Sequence, residues 1–343
     1  MKTKEFFMKR CLELALKGKG YVSPNPMVGC VIVHNNKIIS EGFHEKYKGN
    51  HAEVNAIEKI KEKKILSKSV LYVNLEPCSH FGNTPPCVNT IIKYNIPEVV
   101  IGALDVDPIV KQESSVDKLI NNNINVTVGV LEKECKELNK RFYIFHEKKR
   151  PYVLLKWAQS KDGFIAPLFQ KEAFWMTSKK SKELVHQYRG EEDAILIGRI
   201  TAEKDNPLLT CREIKNYDNP TRIIIDRNLK LKNNLKIFNN DASTIIINSI
   251  KNKKSKHINY TRLDFNNLIN NLMDYLYSIN IQSVIIEGGA ITLSSFIKNN
   301  IWDEARVFNT NKILRDGIKS PRIDSKLFKE IKVGEDTLKI FFK

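Results

Sequence analysis

Across 343 residues no apolar run approaches the roughly 18 residues that a membrane-spanning helix needs, and no leader-like apolar stretch follows the basic start MKTKEFFMKR. A cytoplasmic protein with no membrane partner is expected. Cysteine is sparse: six, at positions 11, 30, 78, 87, 135 and 211, too thinly spread for the disulfide framework of a small secreted domain. Reduced thiols are the expectation. The chain also has no G-x-G-x-x-G loop and no recognised nucleic-acid motif. The second absence matters because the formal net charge is +17, which would favour anionic partners. Yet Lys and Asn are scattered, as in KNNLKIFNND and KNKKSKH, with no aromatic-interleaved basic stripe. Drift toward Lys, Asn and Ile gives the same sum, so no nucleic-acid partner is expected. A phosphorylated small substrate suits the charge as well.

What is present is an ordinary globular balance, 42% hydrophobic and 28% charged, in a chain long enough for two cores. Residues 3 to 17 place Phe7, Met8, Cys11, Leu12, Ala15 and Leu16 at a helical period, ended by Gly18 and Gly20. MVGCVIV, Asn35-Asn36 and KIISEGF read as a β-hairpin, because Asn tolerates left-handed backbone angles. HAEVNAIEKIKEKK reads as helix, SVLYVNLE as strand, CVNTIIKYNI as helix, EVVIGAL and INVTVGV as strands, and EKECKELNKRFYIFH as one closing helix. This alternation predicts an α/β sheet covered by helices. After HEKKRP a second series begins with PYVLLKW, DAILIG, TRIIID, STIIIN and SVIIEGG. Their continuous β-branched runs are those of buried parallel strands. The boundary predicted here gives domains 1–147 and 148–343.

Three short pieces of the first domain converge on one chemistry. Catalytic zinc takes three protein ligands and keeps a fourth position for water. His51, Cys78 and Cys87 supply three, in HAE and in LEPCSHFGNTPPC. Pro85 and Pro86 fit a helix start at Cys87, where exposed N–H groups favour a thiolate. Zinc deaminases carry H-x-E and a later P-C-x-x-C, with the Glu as general acid/base and no ligand to the metal. Here HAE stands at 51 to 53 and PC at 77 to 78, but the second sulfur follows nine positions later. A structural zinc would need a fourth donor, for which only His44 and His80 are near in sequence. The joint pattern therefore favours an open catalytic zinc with Glu53 as its acid/base.

PNPMVGCVIV, HAEVNAI and LEPCSHFGNTPPC, in that order, resemble the pyrimidine deaminase half of the bifunctional riboflavin-biosynthesis deaminase/reductase family. The resemblance spans nearly all of residues 1 to 147, and the long Cys spacing separates it from cytidine and tRNA-adenosine deaminases. It implies a cytidine-deaminase-like αβα domain that hydrolyses the amino group from 2,5-diamino-6-ribosylamino-4(3H)-pyrimidinone 5′-phosphate. By the same resemblance Asn25 is a substrate-binding residue, although Pro-Asn-Pro is equally a plain turn. His44, His80 and Asn83 are either phosphate-pocket residues or solvated loop side chains. One departure falls at DVDPIVKQES, where the family has an Asn-Pro and Gly-rich segment.

KWAQSKDGFIA, WMTS, AILIGRITAEKDNPLLTCR, RIIIDR and VIIEGGAITLSSFI follow in the order of that family's reductase half, whose fold is similar to dihydrofolate reductase. A strand running into Gly288-Gly289 and a helix lets backbone approach a phosphate, though on spacing alone such a pair is more often a turn. The resemblance implies NADPH contacts at Ala158, Ser160, Trp175, Thr201, Asp205, Arg227, Gly289, Ala290, Ile291, Thr292, Leu293, Ser294 and Ser295. It implies substrate contacts at Ala173, Arg189, Leu209, Arg212 and Glu287, with the two arginines able to fork onto a ribosyl phosphate. The implied reaction reduces the ribosyl group of 5-amino-6-(5-phosphoribosylamino)uracil to ribityl. That chemistry needs positioning more than a strong nucleophile, which accounts for the lack of a Ser/His/Asp triad here. A homo-oligomer is also implied. Two departures stand out: Ala173 in QKEAF replaces a Ser, and FNTNKILRDG replaces a Pro-Lys strand and Gly-rich turn. Competing readings are a nucleic-acid (tRNA) deaminase, and a deaminase with a degenerate, non-catalytic second domain.

Overall fold

A computed structural model describes residues 2–81, 85–108, 110, 114–169, 174–214 and 217–343. The chain divides into two compact units, Met1–Lys149 and Arg150–Lys343. Among the described residues no helix is long and apolar enough to cross a membrane.

In the first unit β1 (Gly29–His34) pairs antiparallel with β2 (Lys37–Phe43) and with β3 (Val70–Leu75). β3 runs parallel to β4 (Glu98–Ala103), and β4 to β5 (Asn125–Val128). Asn35 and Asn36, at φ 48° and 59°, make the two-residue hairpin turn between β1 and β2. Side chains alternate across the sheet, and each parity has its own cover. Cys30, Ile32, Leu71, Val73, Val99 and Ile101 face α2 (Ala52–Glu58) and α3 (Cys87–Lys93). Val31, Val33, Tyr72 and Val100 face α1 (Lys4–Ala15), with Phe142 and Tyr143 on the same side.

Three helices differ from the sequence reading. α2 stops at Glu58, and a 3-10 segment, Lys63–Lys68, replaces its expected continuation. α3 ends at Lys93, followed by Asn95 at φ 51°. After α4 (Ser115–Ile120), the expected closing helix is two, α5 (Glu132–Leu138) and α6 (Lys140–Lys148). The break falls at Asn139, whose buried amide accepts from Met27 N at 2.8 Å and donates to Met27 O at 2.9 Å. A long-range demand on one side chain overrides local helical period.

In the second unit β6 (Tyr152–Gln159), β8 (Ala194–Gly198), β9 (Thr221–Ile225), β10 (Thr244–Asn248) and β13 (Ser283–Ile286) match the five β-branched runs. They are parallel, in the order β10-β9-β8-β13-β6. Neighbouring residues of both parities, such as Leu154 and Leu155 or Ile285 and Ile286, are fully buried, because helices cover both faces. Absent from the expectation are the flanks. β12 (Ile258–Arg262) and β11 (Lys253–Lys254) extend one edge. β14 (Glu304–Asn309) adds parallel to β6, and β17 (Asp336–Phe342) and β16 (Leu327–Val333) follow antiparallel. A separate ribbon joins β7 (Phe164–Ala166) to β15 (Ile318–Lys319). The helices are α7 (Lys179–Glu191), α8 (Arg199–Asp205), α9 (Leu268–Ser278) and α10 (Ala290–Lys298).

Candidate active sites

In the first unit His51 is the N-cap of α2, with extended backbone angles and a ring not used in capping. Cys87 opens α3 behind Pro86, and Cys78 lies in the segment after β3. His51 Nδ1 sits 3.3 Å from Cys87 Sγ and 3.4 Å from Cys78 Sγ, and the three ligand atoms all lie within 4.8 Å of one another. Tetrahedral bonds of about 2.3 Å to sulfur and 2.0–2.1 Å to nitrogen would separate such donors by about 3.5 Å. The donor set fits zinc in both chemistry and spacing. The Cys87 backbone N–H donates to Cys78 Sγ at 3.3 Å, and the thiols influence each other in opposite directions. The Cys87 thiol, aided by His51, holds Cys78 down to about 4, while Cys78 and burial push Cys87 up.

Glu53 lies in the first turn of α2, 3% exposed. Burial raises its pKa, with His51 pulling the other way. α2 is set against β2 at Gly42, where a Cβ would stand 2.3 Å from Ala52 O and 2.5 Å from Ala56 N. Only glycine lets this helix start so close to the sheet.

His44 is no fourth ligand. Its Nδ1 lies 3.0 Å from Asn50 O and its Nε2 3.1 Å from Asn25 Nδ2, so both ring nitrogens are engaged. It is buried, with its ring centroid 5.4 Å from that of His51, and burial lowers its pKa. Of the two readings left open for His44, a solvated loop side chain is excluded, because packing against His51 closes it off. Asn25 is thereby brought beside the cluster. Asn74, which sequence reasoning missed, steadies the Asn25 segment by accepting from Gly29 N at 2.7 Å and donating to Met27 O at 3.1 Å. Among the described residues, the buried Nδ1 of His80 has no hydrogen-bond partner. Asn83 lies outside the described residues.

The second unit holds a cavity of about 790 Å³ at the ends of β6, β8, β9 and β13. Ala158, Trp175, Thr201, Asp205, Arg227, Gly289, Ala290, Ile291 and Thr292 line it, as do Arg189, Leu209, Arg212 and Glu287. Four expected contacts fall elsewhere. Ser160 is buried in the β6–β7 turn, bonded to Asp162 Oδ1 at 2.6 Å and accepting from Phe164 N. Leu293 faces inward from α10 into the hydrophobic core. Ser294 and Ser295 follow it along the helix, off the lining, and Ser295 Oγ donates to Ile291 O. Ala173 lies outside the described residues.

At the cavity floor Arg189 grips Glu287 with two hydrogen bonds of 2.7 and 2.8 Å, and Lys156 Nζ stands 3.5 Å from the same carboxylate. Burial acts most strongly on Glu287 and would raise its pKa, but Arg189 and Lys156 together hold it down to about 2. Lys156 was missed as a site residue although it opens the quoted KWAQSKDG; a Lys inside an apolar strand was its signal. Arg189 also donates to Thr210 O, so much of its fork is committed within the protein, whereas Arg212 is exposed with one 3.5 Å contact to Thr210. Leu209, between them, takes a left-handed φ of 53°, a strained backbone of the sort that binding sites keep. Beside α10, Gly289 N–H donates to Thr201 Oγ1 at 3.0 Å, and a Cβ on Gly288 would meet Thr292 at 2.8 Å. The glycine pair, the start of a nine-residue helix and the neighbouring Arg199 and Arg227 fit a phosphate-bearing dinucleotide.

Comparison with known proteins places both sites in context. The cytidine and deoxycytidylate deaminase zinc-binding region matches residues 1–103, and the RibD C-terminal domain matches residues 151–333. The riboflavin biosynthesis protein RibD of Aquifex aeolicus is 40% identical over 353 residues, covering 98% of this chain and 97% of that protein. That of Actinobacillus pleuropneumoniae is 34% identical, covering 90% and 84%. A crystal structure from Thermotoga maritima, described as a diaminohydroxyphosphoribosylaminopyrimidine deaminase/5-amino-6-(5-phosphoribosylamino)uracil reductase, superposes with a TM-score of 0.90 at 36% identity. It covers 99% of this chain and 98% of that one.

Proposed function

Because this chain belongs to the RibD family of bifunctional riboflavin-biosynthesis deaminase/reductases, we propose how its residues divide two consecutive reactions between two sites. The first is hydrolytic deamination of the diaminopyrimidinone ribosylamine phosphate; the second reduces the deaminated ribosylamine to its ribityl form.

His51, Cys78 and Cys87 would hold zinc, which supplies Lewis-acid activation of water near neutral pH. Glu53 takes one proton from the attacking water and delivers it to the ring nitrogen, then takes the proton of the new hydroxyl and delivers it to the departing amine. One C–O bond forms, one C–N bond breaks, and ammonia leaves. Burial raises the Glu53 pKa, the direction that strengthens a carboxylate as a proton acceptor. Asn25, fixed by His44, presents its amide to the substrate ring.

In the second unit NADPH would supply the hydride, lying along Gly289–Thr292 with Thr201, Asp205 and Arg227. Glu287, kept ionised by Arg189 and Lys156, accepts hydrogen bonds from the sugar hydroxyls and orients the carbon that is reduced. Arg212 has N–H groups to spare for the ribosyl phosphate. Trp175, half exposed over the cavity, gives the cofactor an apolar face.

The convergence of His51, Cys78 and Cys87 beside a buried Glu53 carries this reading. Six free thiols support a reducing compartment such as the cytoplasm, and the family resemblance supports a homo-oligomer, which light scattering would check. Incubating zinc-loaded protein with the diaminopyrimidinone phosphate and NADPH should release ammonia and give the ribityl product by mass spectrometry. Absence of both products would overturn the reading.

A further inference from the structure

FNTNKILRDG, the stretch where the second unit departs from its family, contributes nothing to the cavity wall. It leaves the end of β14 and runs beside the β6–β7 turn, where Asp162 holds it. Asp162 Oδ1 accepts from Leu314 N at 3.2 Å, and Oδ2 from Arg315 N at 2.7 Å. Lys161 N donates to Lys312 O at 2.8 Å, and Ser160 Oγ donates to Asp162 Oδ1. Ser160, which falls off the cavity wall, therefore belongs to the anchor of this segment. From that anchor the Lys312 side chain reaches outward. Its Nζ donates to Trp175 O at 2.5 Å and stands 5.3 Å from the centre of the Phe174 ring.

Trp175 gives this contact its consequence. Of the three tryptophans, Trp157 and Trp302 are buried, whereas Trp175 is 58% exposed and lines the cavity. A ring so open to water has little packing of its own to fix it. Further along the same segment Ser178 caps α7 and donates its N–H to Asp336 Oδ2 at 2.8 Å. At Trp175 two lysines from different elements meet it. Lys312 bonds its carbonyl, and Lys182 of α7 places Nζ 5.2 Å from the centre of its ring while paired with Glu213 at 2.7 Å. A charged amine on a carbonyl makes a stronger bond than a neutral donor, and a cation over an indole adds a weaker attraction. The ring is thereby ordered before a ligand arrives, and a wall ordered in advance leaves less entropy to lose on binding.

We propose that Lys312 is a positioning residue for the cofactor: its bond to the Trp175 carbonyl holds the indole as the apolar wall against which NADPH lies, with Lys182 steadying the ring. This rests on the reading that Trp175 contacts NADPH, and it adds a residue that stands outside the cavity. Lys312 acts through Trp175, so it sets affinity for NADPH and has little part in the hydride step.

The test uses the full-length zinc-loaded chain, and both side chains to be changed are exposed. Lys312→Met should raise KM for NADPH about 3- to 10-fold, the usual range for one lost hydrogen bond, with kcat within about twofold of the parent. KM for the deaminated ribosylamine phosphate and ammonia release from the first unit should stay at the parental values. Lys312→Arg, which keeps a charged donor, should stay within about twofold of the parent in KM for NADPH. Because the other two tryptophans are buried, fluorescence reports the freedom of Trp175: the fast component of its anisotropy decay should grow in Lys312→Met and not in Lys312→Arg. In a Trp175→Ala background, Lys312→Met should add no further rise in KM. A parental KM for NADPH in Lys312→Met would overturn the proposal, as would an unchanged anisotropy decay, a loss confined to kcat, or an equal penalty with and without the Trp175 ring. Two further measurements separate this proposal from the reading beneath it. If NADP+ does not shield Trp175 from acrylamide quenching and Trp175→Ala leaves KM for NADPH unchanged, the placement of Trp175 fails and takes Lys312 with it. If NADP+ shields it and Trp175→Ala raises KM while Lys312→Met does not, Lys312 alone is wrong.

Discussion

The two units solve the problem of catalysis with opposite economies of residues. In the first, three ligand atoms from three separated segments lie within 4.8 Å of one another, with one buried carboxylate beside them. In the second, a cavity of about 790 Å³ is lined by backbone, aromatic surface and cations around the Glu287 carboxylate that Arg189 grips. The contrast follows from where the reactivity lies. Hydrolysis needs protein side chains to ligate a metal and carry a proton, so a few atoms bear everything. Hydride transfer draws its reactivity from a cofactor, so the protein supplies shape, orientation and fixed charge.

Removing the key carboxylate from each site should expose that difference. Glu53→Gln should reduce ammonia release by about 10²- to 10⁴-fold, the usual value of positioned acid/base catalysis, and leave reduction of supplied intermediate unchanged. A parallel loss of reduction would break the separation. Glu287→Gln should act on stability as well as rate, since it strands Arg189 and Lys156 in a buried site; about 3–5 kcal/mol is typical for one broken partner. The same pair predicts a pH dependence. Glu287 titrates near 2 in the folded chain against an ordinary 4.5, so its contribution is whole above about pH 4.5 and is lost as pH falls through 2. Urea unfolding between pH 6 and 3 should show parent stability falling toward that of Glu287→Gln; parallel curves would contradict it.

Smaller effects sharpen the comparison. Gly42→Ala pushes a methyl into Ala52 and Ala56, and overpacking of this kind costs about 1–3 kcal/mol. Because α2 carries Glu53 and is capped by His51, zinc affinity and ammonia release should fall while reduction does not. Lys136→Ala, which breaks an exposed pair with Glu132, should change the free energy of urea unfolding by no more than about 0.5 kcal/mol.

How much of this was legible in the sequence follows the same division. HAE, Pro-Cys and Pro-Pro-Cys announced the first site because its chemistry resides in rare side chains at constrained spacings. The five Val/Ile runs announced the parallel sheet because burial on both faces leaves no room for alternation. The reductase cavity was readable only as an ordered series of fragments. Lys156 sits inside a strand whose run looks purely structural, and only the fold turns it toward the cavity. Leu293 shows the converse: membership in a Gly-Gly-helix motif did not keep its side chain from the core. The break at Asn139 and the cluster at Asn25, His44 and Asn74 depend on hydrogen bonds spanning up to 112 residues, which no local pattern records.

X-ray absorption at the zinc edge tests the central assignment most directly. The zinc-loaded parent should show two sulfurs at about 2.3 Å and two nitrogen or oxygen neighbours at about 2.0–2.1 Å, one of them exchangeable with solvent, and Cys87→Ser should lose one sulfur. A third sulfur, four protein donors with no exchangeable neighbour, or a spectrum unchanged in Cys87→Ser would contradict it.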